Sequence, residues 1–210
     1  MNLSKFRTAL LSCVLAFCAA NAQATVIGFE GIATSKKTVI YQNYSTFKID
    51  DYSFYTNPNT STTVIHREYY ARDPAVASNG TDVVKLTGSR QLLEMTNNSN
   101  TPFNVTSIDL ADYYDFSTRR NEVTLTGTLV GGGTVTWTGV LNNINAAGPN
   151  DFSTIQLTNF RNLTSFAIGG TQQLGIDNIN VSAVPEPSTW VMLGLGLALI
   201  GVTTRRTKSA

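Results

Sequence analysis

The stretch EVTLTGTLVGGGTVTWTGVL, Glu122–Leu141, decides the fold class. From Glu122 to Val130, Val123, Leu125, Gly127 and Leu129 fall on one side of an extended chain. Glu122, Thr124, Thr126 and Thr128 fall on the other. Successive side chains of a strand point to opposite faces, so this alternation buries one face and wets the other. Thr134–Leu141 repeats the pattern with Val135, Trp137, Gly139 and Leu141, which assigns Trp137 to the core face. Gly131–Gly133 between the two runs supplies a short hairpin connection.

Working outward, further runs read as strands: 26–30, 38–41, 46–55 with a break near Asp50-Asp51, 63–70, 83–87, 91–96, 105–110, 153–158, 165–168 and 176–181. Turn chemistry separates them, at Asn57-Pro58-Asn59, Asn79-Gly80, 97–100 and 142–150. No amphipathic helix of ten or more residues interrupts the series. Ten or so short strands with polar turns predict an all-β fold, a two-sheet jelly-roll-type β-sandwich over residues 25–183.

Both ends read differently. Lys5 and Arg7 precede the apolar stretch 8–20, and Ala22-Gln23-Ala24 is a small-x-small cleavage pattern, so residues 1–24 read as a cleavable secretory signal peptide. Spanning a bilayer as a helix takes about 20 apolar residues, which this run lacks. Both cysteines, Cys13 and Cys18, lie inside it, so the processed protein has neither disulfide nor thiol chemistry. Stability then rests on the core alone. A domain of about 160 residues buries roughly 68–70% of its extended-chain surface, which is enough.

At the other end Trp190–Val202 carries no charge. A helix over about residues 189–204 is predicted as a short transmembrane segment, at about 1.5 Å per residue a marginal match to a hydrocarbon core of about 30 Å. Arg205, Arg206 and Lys208 mark its cytoplasmic flank. Just before it, Val184, Pro185, Glu186 and Pro187 form an extended, accessible strip, because each proline fixes φ and pushes its predecessor out of the helical region. The order V-P-E-P-S-T, short Gly/Leu helix, Arg cluster and chain end resembles the PEP-CTERM sorting signal of Gram-negative bacteria, here residues 184–208. That resemblance implies recognition by an exosortase-type membrane sorting enzyme and cleavage near Pro185-Glu186-Pro187. It also implies an inner-membrane-anchored precursor, then a cell-surface or extracellular form associated with exopolysaccharide and biofilm matrix.

Charge excludes one class of partner. Between the two signals thirteen carboxylates outnumber ten basic side chains, without a basic stripe, so no nucleic-acid partner is expected. The polar surface is Asn, Thr and Ser instead.

Candidate chemistry is sparse. His66 is the sole histidine, sits in a strand-like run, and has no Gly-x-Ser-x-Gly nucleophile elbow to serve. Asp50 and Asp51 point to opposite faces of a strand, and the series Asp109, Asp112, Asp115 reads as a strand end solvating a loop. No catalytic residue is assigned, and the chain is expected not to be an enzyme. GFEG at 28–31 and GIDNI at 175–179 resemble the terminal strands of jelly-roll carbohydrate-binding modules. In those modules a Glu and an Asp share a structural calcium, which implies Glu30 and Asp177 as its ligands here, with calcium as the sole cofactor. Tyr113 and Tyr114, among Asp112, Asp115, Arg119 and Arg120, are the ligand-contact candidates, because loops on a rigid scaffold often carry binding.

The expected function is that of an exported, non-enzymatic surface or matrix protein associated with exopolysaccharide. Two alternatives stand beside it: a secreted glycan-active hydrolase, which needs paired carboxylates, and a purely structural, self-assembling matrix subunit.

Overall fold

A computed structural model of the chain describes residues 24–33, 39–42, 46–57, 60–65, 80–88, 92–112, 121–141, 152–184, 194, 196 and 197. The expected signal peptide, apart from Ala24, lies outside these residues. Of the expected transmembrane segment only Gly194, Gly196 and Leu197 are described, all helical. Among the described residues no helix is long and apolar enough to cross a membrane. Ala24–Ser182 form one compact unit.

Among the described residues of that unit, every regular element is a strand. In chain order the strands are β1 (Ala24–Ile27), β2 (Val39–Gln42), β3 (Thr46–Ile49), β4 (Tyr52–Thr56), β5 (Thr60–Ile65), β6 (Val83–Gly88) and β7 (Leu93–Asn97). They continue as β8 (Phe103–Asp112), β9 (Asn121–Leu129), β10 (Thr134–Leu141), β11 (Ser153–Gln156), β12 (Leu163–Gly170) and β13 (Leu174–Ala183). The strands join in one 13-stranded sheet built on antiparallel ladders.

The sheet has two sections. One runs β3-β4-β7-β12-β9-β10. The other runs β2-β5-β6-β13-β8, with β1 added along β13 and β11 along β8. β12 and β8 join the sections through a single pair, Leu163↔Phe103. The sheet is strongly curled, and both sections feed one hydrophobic cluster. Phe54 and Met95 come from the first section, Leu86, Ile108 and Ile176 from the second. Rings cross between them: Tyr52 of β4 meets Phe103 of β8 edge-on at 5.4 Å. Phe29, just past β1, meets Phe54 at 5.8 Å. Phe54 in turn stacks on Phe47 at 5.1 Å.

The alternation read from Glu122–Leu141 explains the local structure. Val123, Leu125 and Gly127 are buried, while Glu122 and Thr124 are exposed. Gly131, Gly132 and Gly133 all take positive φ, which a side chain would resist. Gly127 is needed for a second reason: a Cβ there would lie 2.7 Å from Leu163 Cδ2.

Candidate functional site

β13 changes neighbours midway. Leu174–Ile176 pair with Leu86–Val84 of β6, whereas Ile179–Ser182 pair with Ile27–Ala24 of β1. The two residues between, Asp177 and Asn178, belong to neither ladder. Asn178 takes φ 46°, in the left-handed region that Asn tolerates better than most residues. This kink turns the Asp177 side chain into the protein, where it is 1% exposed.

The Asp177 carboxylate is held at both oxygens. Oδ2 accepts from the Thr81 hydroxyl at 2.5 Å, and Oδ1 accepts from the Asn178 N–H at 2.8 Å. Thr81 leads into Asp82, also 1% exposed, immediately before β6. The Asp82 N–H donates to Glu30 Oε1 at 3.0 Å, and Asp82 Oδ2 accepts from the Gly31 N–H at 3.3 Å. Glu30 and Asp177 therefore converge on one dipeptide, Thr81–Asp82. Glu30 stands in a turn past the end of β1 rather than at the end of a strand, and it is exposed.

Neighbouring Asn178 extends the network. Its Nδ2 donates to Asp109 Oδ2 at 2.8 Å, while Asp109 Oδ1 accepts from the Thr154 hydroxyl at 2.6 Å. Asp109 and Asp112 thus lie within β8, and Asp112 is 8% exposed. Asp112 does end the strand, but neither Asp109 nor Asp112 solvates a loop, which corrects that part of the expectation; Asp115 lies outside the described residues. The strand runs on through Ala111 and Asp112, both of them buried.

The donors near Thr81–Asp82 are all hard oxygens, the type calcium prefers over nitrogen- and sulfur-seeking metals. Among the described residues no three His, Cys, Asp or Glu side chains converge closely enough to hold a metal by themselves. A calcium at Glu30 and Asp177 would therefore draw its other ligands from backbone carbonyls and hydroxyls.

Of the other assigned residues, Val184 follows β13 directly and is half-buried. Pro185, Glu186, Pro187, Arg205, Arg206, Tyr113, Tyr114 and His66 lie outside the described residues. Asp50 and Asp51 are exposed in the turn between β3 and β4. Trp137 is half-buried against the core, its indole lying over Gly139. Sequence reasoning missed Thr81 and Asp82. Their signal was a Thr-Asp pair between the Asn79-Gly80 turn and an apolar strand, which reads equally well as ordinary turn chemistry.

The PEP-CTERM protein-sorting motif matches residues 183–206, and a motif of this kind marks an exported protein for processing by exosortase. Curated protein sequences give no match. Two solved structures are distantly similar. TmCBM61 in complex with β-1,4-galactotriose is 10% identical with a TM-score of 0.26, over 77% of this chain and 88% of that one. The enzymatically active domain of bacteriophage CBA120 tailspike protein 4 is 7% identical with a TM-score of 0.27, over 79% of this chain. This chain spans 20% of the tailspike chain. At these scores no ligand or activity transfers from either protein.

Proposed function

We propose that this chain, premised on its PEP-CTERM sorting motif, is an exosortase substrate delivered to the cell surface or extracellular matrix as a non-enzymatic, exopolysaccharide-associated protein. One observation carries the reading: the motif begins at residue 183, where β13 ends, so the sorting tail follows the folded unit without an intervening domain. The precursor is anchored in the inner membrane by the apolar segment flanked by Arg205 and Arg206, and is cut near Pro185-Glu186-Pro187. We read the curled sheet as a two-sheet sandwich of jelly-roll type, supported by the single residue pair that joins its two sections. Glu30 and Asp177 hold a structural calcium, and Tyr113 and Tyr114 contact glycan.

The sorting step is tested by mass spectrometry of the exported protein, made in producer cells with and without the exosortase. The expected C-terminal peptide ends near Pro185–Pro187 and depends on the enzyme. Secreted protein that keeps Arg205 and Arg206 would sink the proposal. Glycan association is tested separately, by retention on the producer's own polysaccharide with and without chelator. Retention is expected to fall when Tyr113 and Tyr114 are replaced by alanine.

A further inference from the structure

With the described residues alone, strand β10 has one side of its backbone unpaired. Among the described residues it pairs only with β9. Its hydrogen-bond phase is fixed by two contacts on β9. The Leu129 N–H donates to Gly133 O at 3.0 Å, across the hairpin. Glu122 O accepts from the Thr171 N–H at 3.1 Å, on the side away from β10. Because the direction of the backbone groups alternates along an antiparallel pair, Val135, Trp137, Gly139 and Leu141 bond to β9. Thr134, Thr136, Thr138 and Val140 turn their N–H and C=O groups outward.

Exposed edges are ordinarily guarded by lysine, proline, a bulge or a covering element, because an open ladder templates pairing with another chain. β10 (TVTWTGVL) has no charge and no proline, and its register with β9 is unbroken. The edge at the far end of the same section, β3, carries Lys48. Val140, near the end of β10, is 45% exposed, and Val130, in the turn that follows β9, is 44% exposed. Trp137, at mid-strand, remains half-exposed on the core face.

We propose that β10 pairs antiparallel with β10 of a second copy about a two-fold axis through Trp137, extending the sheet across two molecules. Such an interface is self-complementary, as a two-fold requires. In this register Thr136 lies opposite the partner's Thr138 and Thr134 opposite the partner's Val140, so every outward-facing backbone group of β10 finds a partner. Trp137 meets the partner's Trp137 in a non-hydrogen-bonded pair, where Cα atoms are about 4.5 Å apart. Its indole already lies over Gly139, and Gly139 sits opposite the partner's Val135. Each ring is thereby sandwiched and withdrawn from water. Placing the axis at Thr136 or Thr138 separates the tryptophans and leaves an outward residue without a partner, which singles out this register. The sorting reading is independent of this assembly.

The test uses the full chain with Cys13→Ser and Cys18→Ser. Hydrogen-bonded antiparallel pairs hold Cα atoms about 5.5 Å apart, within the range a disulfide spans. Mixing a Thr136→Cys chain with a Thr138→Cys chain under oxidation is expected to give a mixed disulfide, at least about five-fold above either chain alone. A Thr134→Cys chain with a Val140→Cys chain should behave alike. Adding Thr136→Pro to both members of that second pair should cut the cross-link at least about ten-fold, with circular dichroism unchanged, since an edge strand tolerates proline where its N–H faces outward. Self-cross-linking of Thr136→Cys or Thr138→Cys alone, equal yields from all pairings, no cross-link, or insensitivity to Thr136→Pro would each overturn the proposal.

Discussion

The hydroxyl of Thr81 donates to Asp177 Oδ2 at 2.5 Å, joining residues 96 positions apart and fastening the approach to β6 onto the kink of β13. With Glu30 bonded to the next residue, Asp82, the first and last strands of the unit are tied through one dipeptide. A calcium bound there stabilises only the folded chain, because the unfolded chain does not bring Glu30 and Asp177 together. At a hundredfold excess over Kd that amounts to about 2.7 kcal/mol, or a melting temperature roughly 5–10 °C higher. Thermal melts with calcium and with chelator should differ by this much, and Asp177→Asn should abolish the difference. Identical melts for the unsubstituted protein would remove calcium from the site.

Asn178 combines a left-handed backbone with a side-chain bond to Asp109. Replacing it by glycine keeps the backbone relaxed and loses only the bond. Replacing it by valine adds backbone strain of order 1–3 kcal/mol. Urea denaturation should therefore rank the unsubstituted chain first, Asn178→Gly second and Asn178→Val last. The reverse order of the two variants would mean that the kink is not under conformational constraint.

Phe54 touches rings on two sides, Phe47 stacked and Phe29 edge-on, and is fully buried. Phe54→Ala should cost about 3–5 kcal/mol through lost transfer energy and the cavity left behind. Equilibrium denaturation measures it, and a loss below about 1 kcal/mol would show that the two sections repack freely.

A methyl group at Gly139 would overlap the indole of Trp137, a half-buried ring packed against the core. Gly139→Ala should destabilise by about 1–3 kcal/mol, as overpacking does, and should alter the near-ultraviolet signature of tryptophan. The same change at Gly127 meets fully buried Leu163 and also Val135, and should cost a comparable amount.

Alkaline stability has two opposed contributions. Burial raises the Tyr52 hydroxyl pKa, the hydrogen bond with Asn97 lowers it, and the charge of Asp51 raises it, for a net rise. Above about pH 10 the unfolded chain releases the tyrosine proton while the folded chain keeps it, so stability contributed below that pH is lost as pH rises. Burial lowers the Lys85 pKa, with the opposite consequence. Just below about pH 10.4 the unfolded chain holds a proton that the folded chain has released, and stability rises with pH. Urea midpoints across about pH 8 to 11 should fall less steeply for Tyr52→Phe, and Lys85→Met should flatten the rise. Unchanged slopes in both variants would contradict these environments.

The hairpin at Glu122–Leu141 was legible because strict alternation and three glycines each point to one backbone solution. β9 and β10 stand where that reading places them, within a residue. β13 is legible only in part. Its apolar pattern begins at Ile176, yet the strand starts at Leu174 and includes Gly175, packed against Phe152 and Ala111. Alternation fails there because consecutive residues from Leu174 to Asp177 are all buried, so the period-2 pattern disappears. The pairing of Glu30 with Asp177 came from resemblance. The residues that join them, Thr81 and Asp82, were invisible because a hydrogen bond across 96 positions leaves no local pattern.

The register Ala24↔Ser182 puts the start of β1 alongside the end of β13, one residue before the sorting motif begins. β13 lies inside the sheet, flanked by β6 and β1 on one side and β8 on the other. A pull applied to Ser182 along the axis of β13 therefore runs parallel to those strands. It loads their hydrogen bonds in shear, all together, instead of peeling them apart one at a time. Force along that axis meets the folded unit in its mechanically most resistant direction.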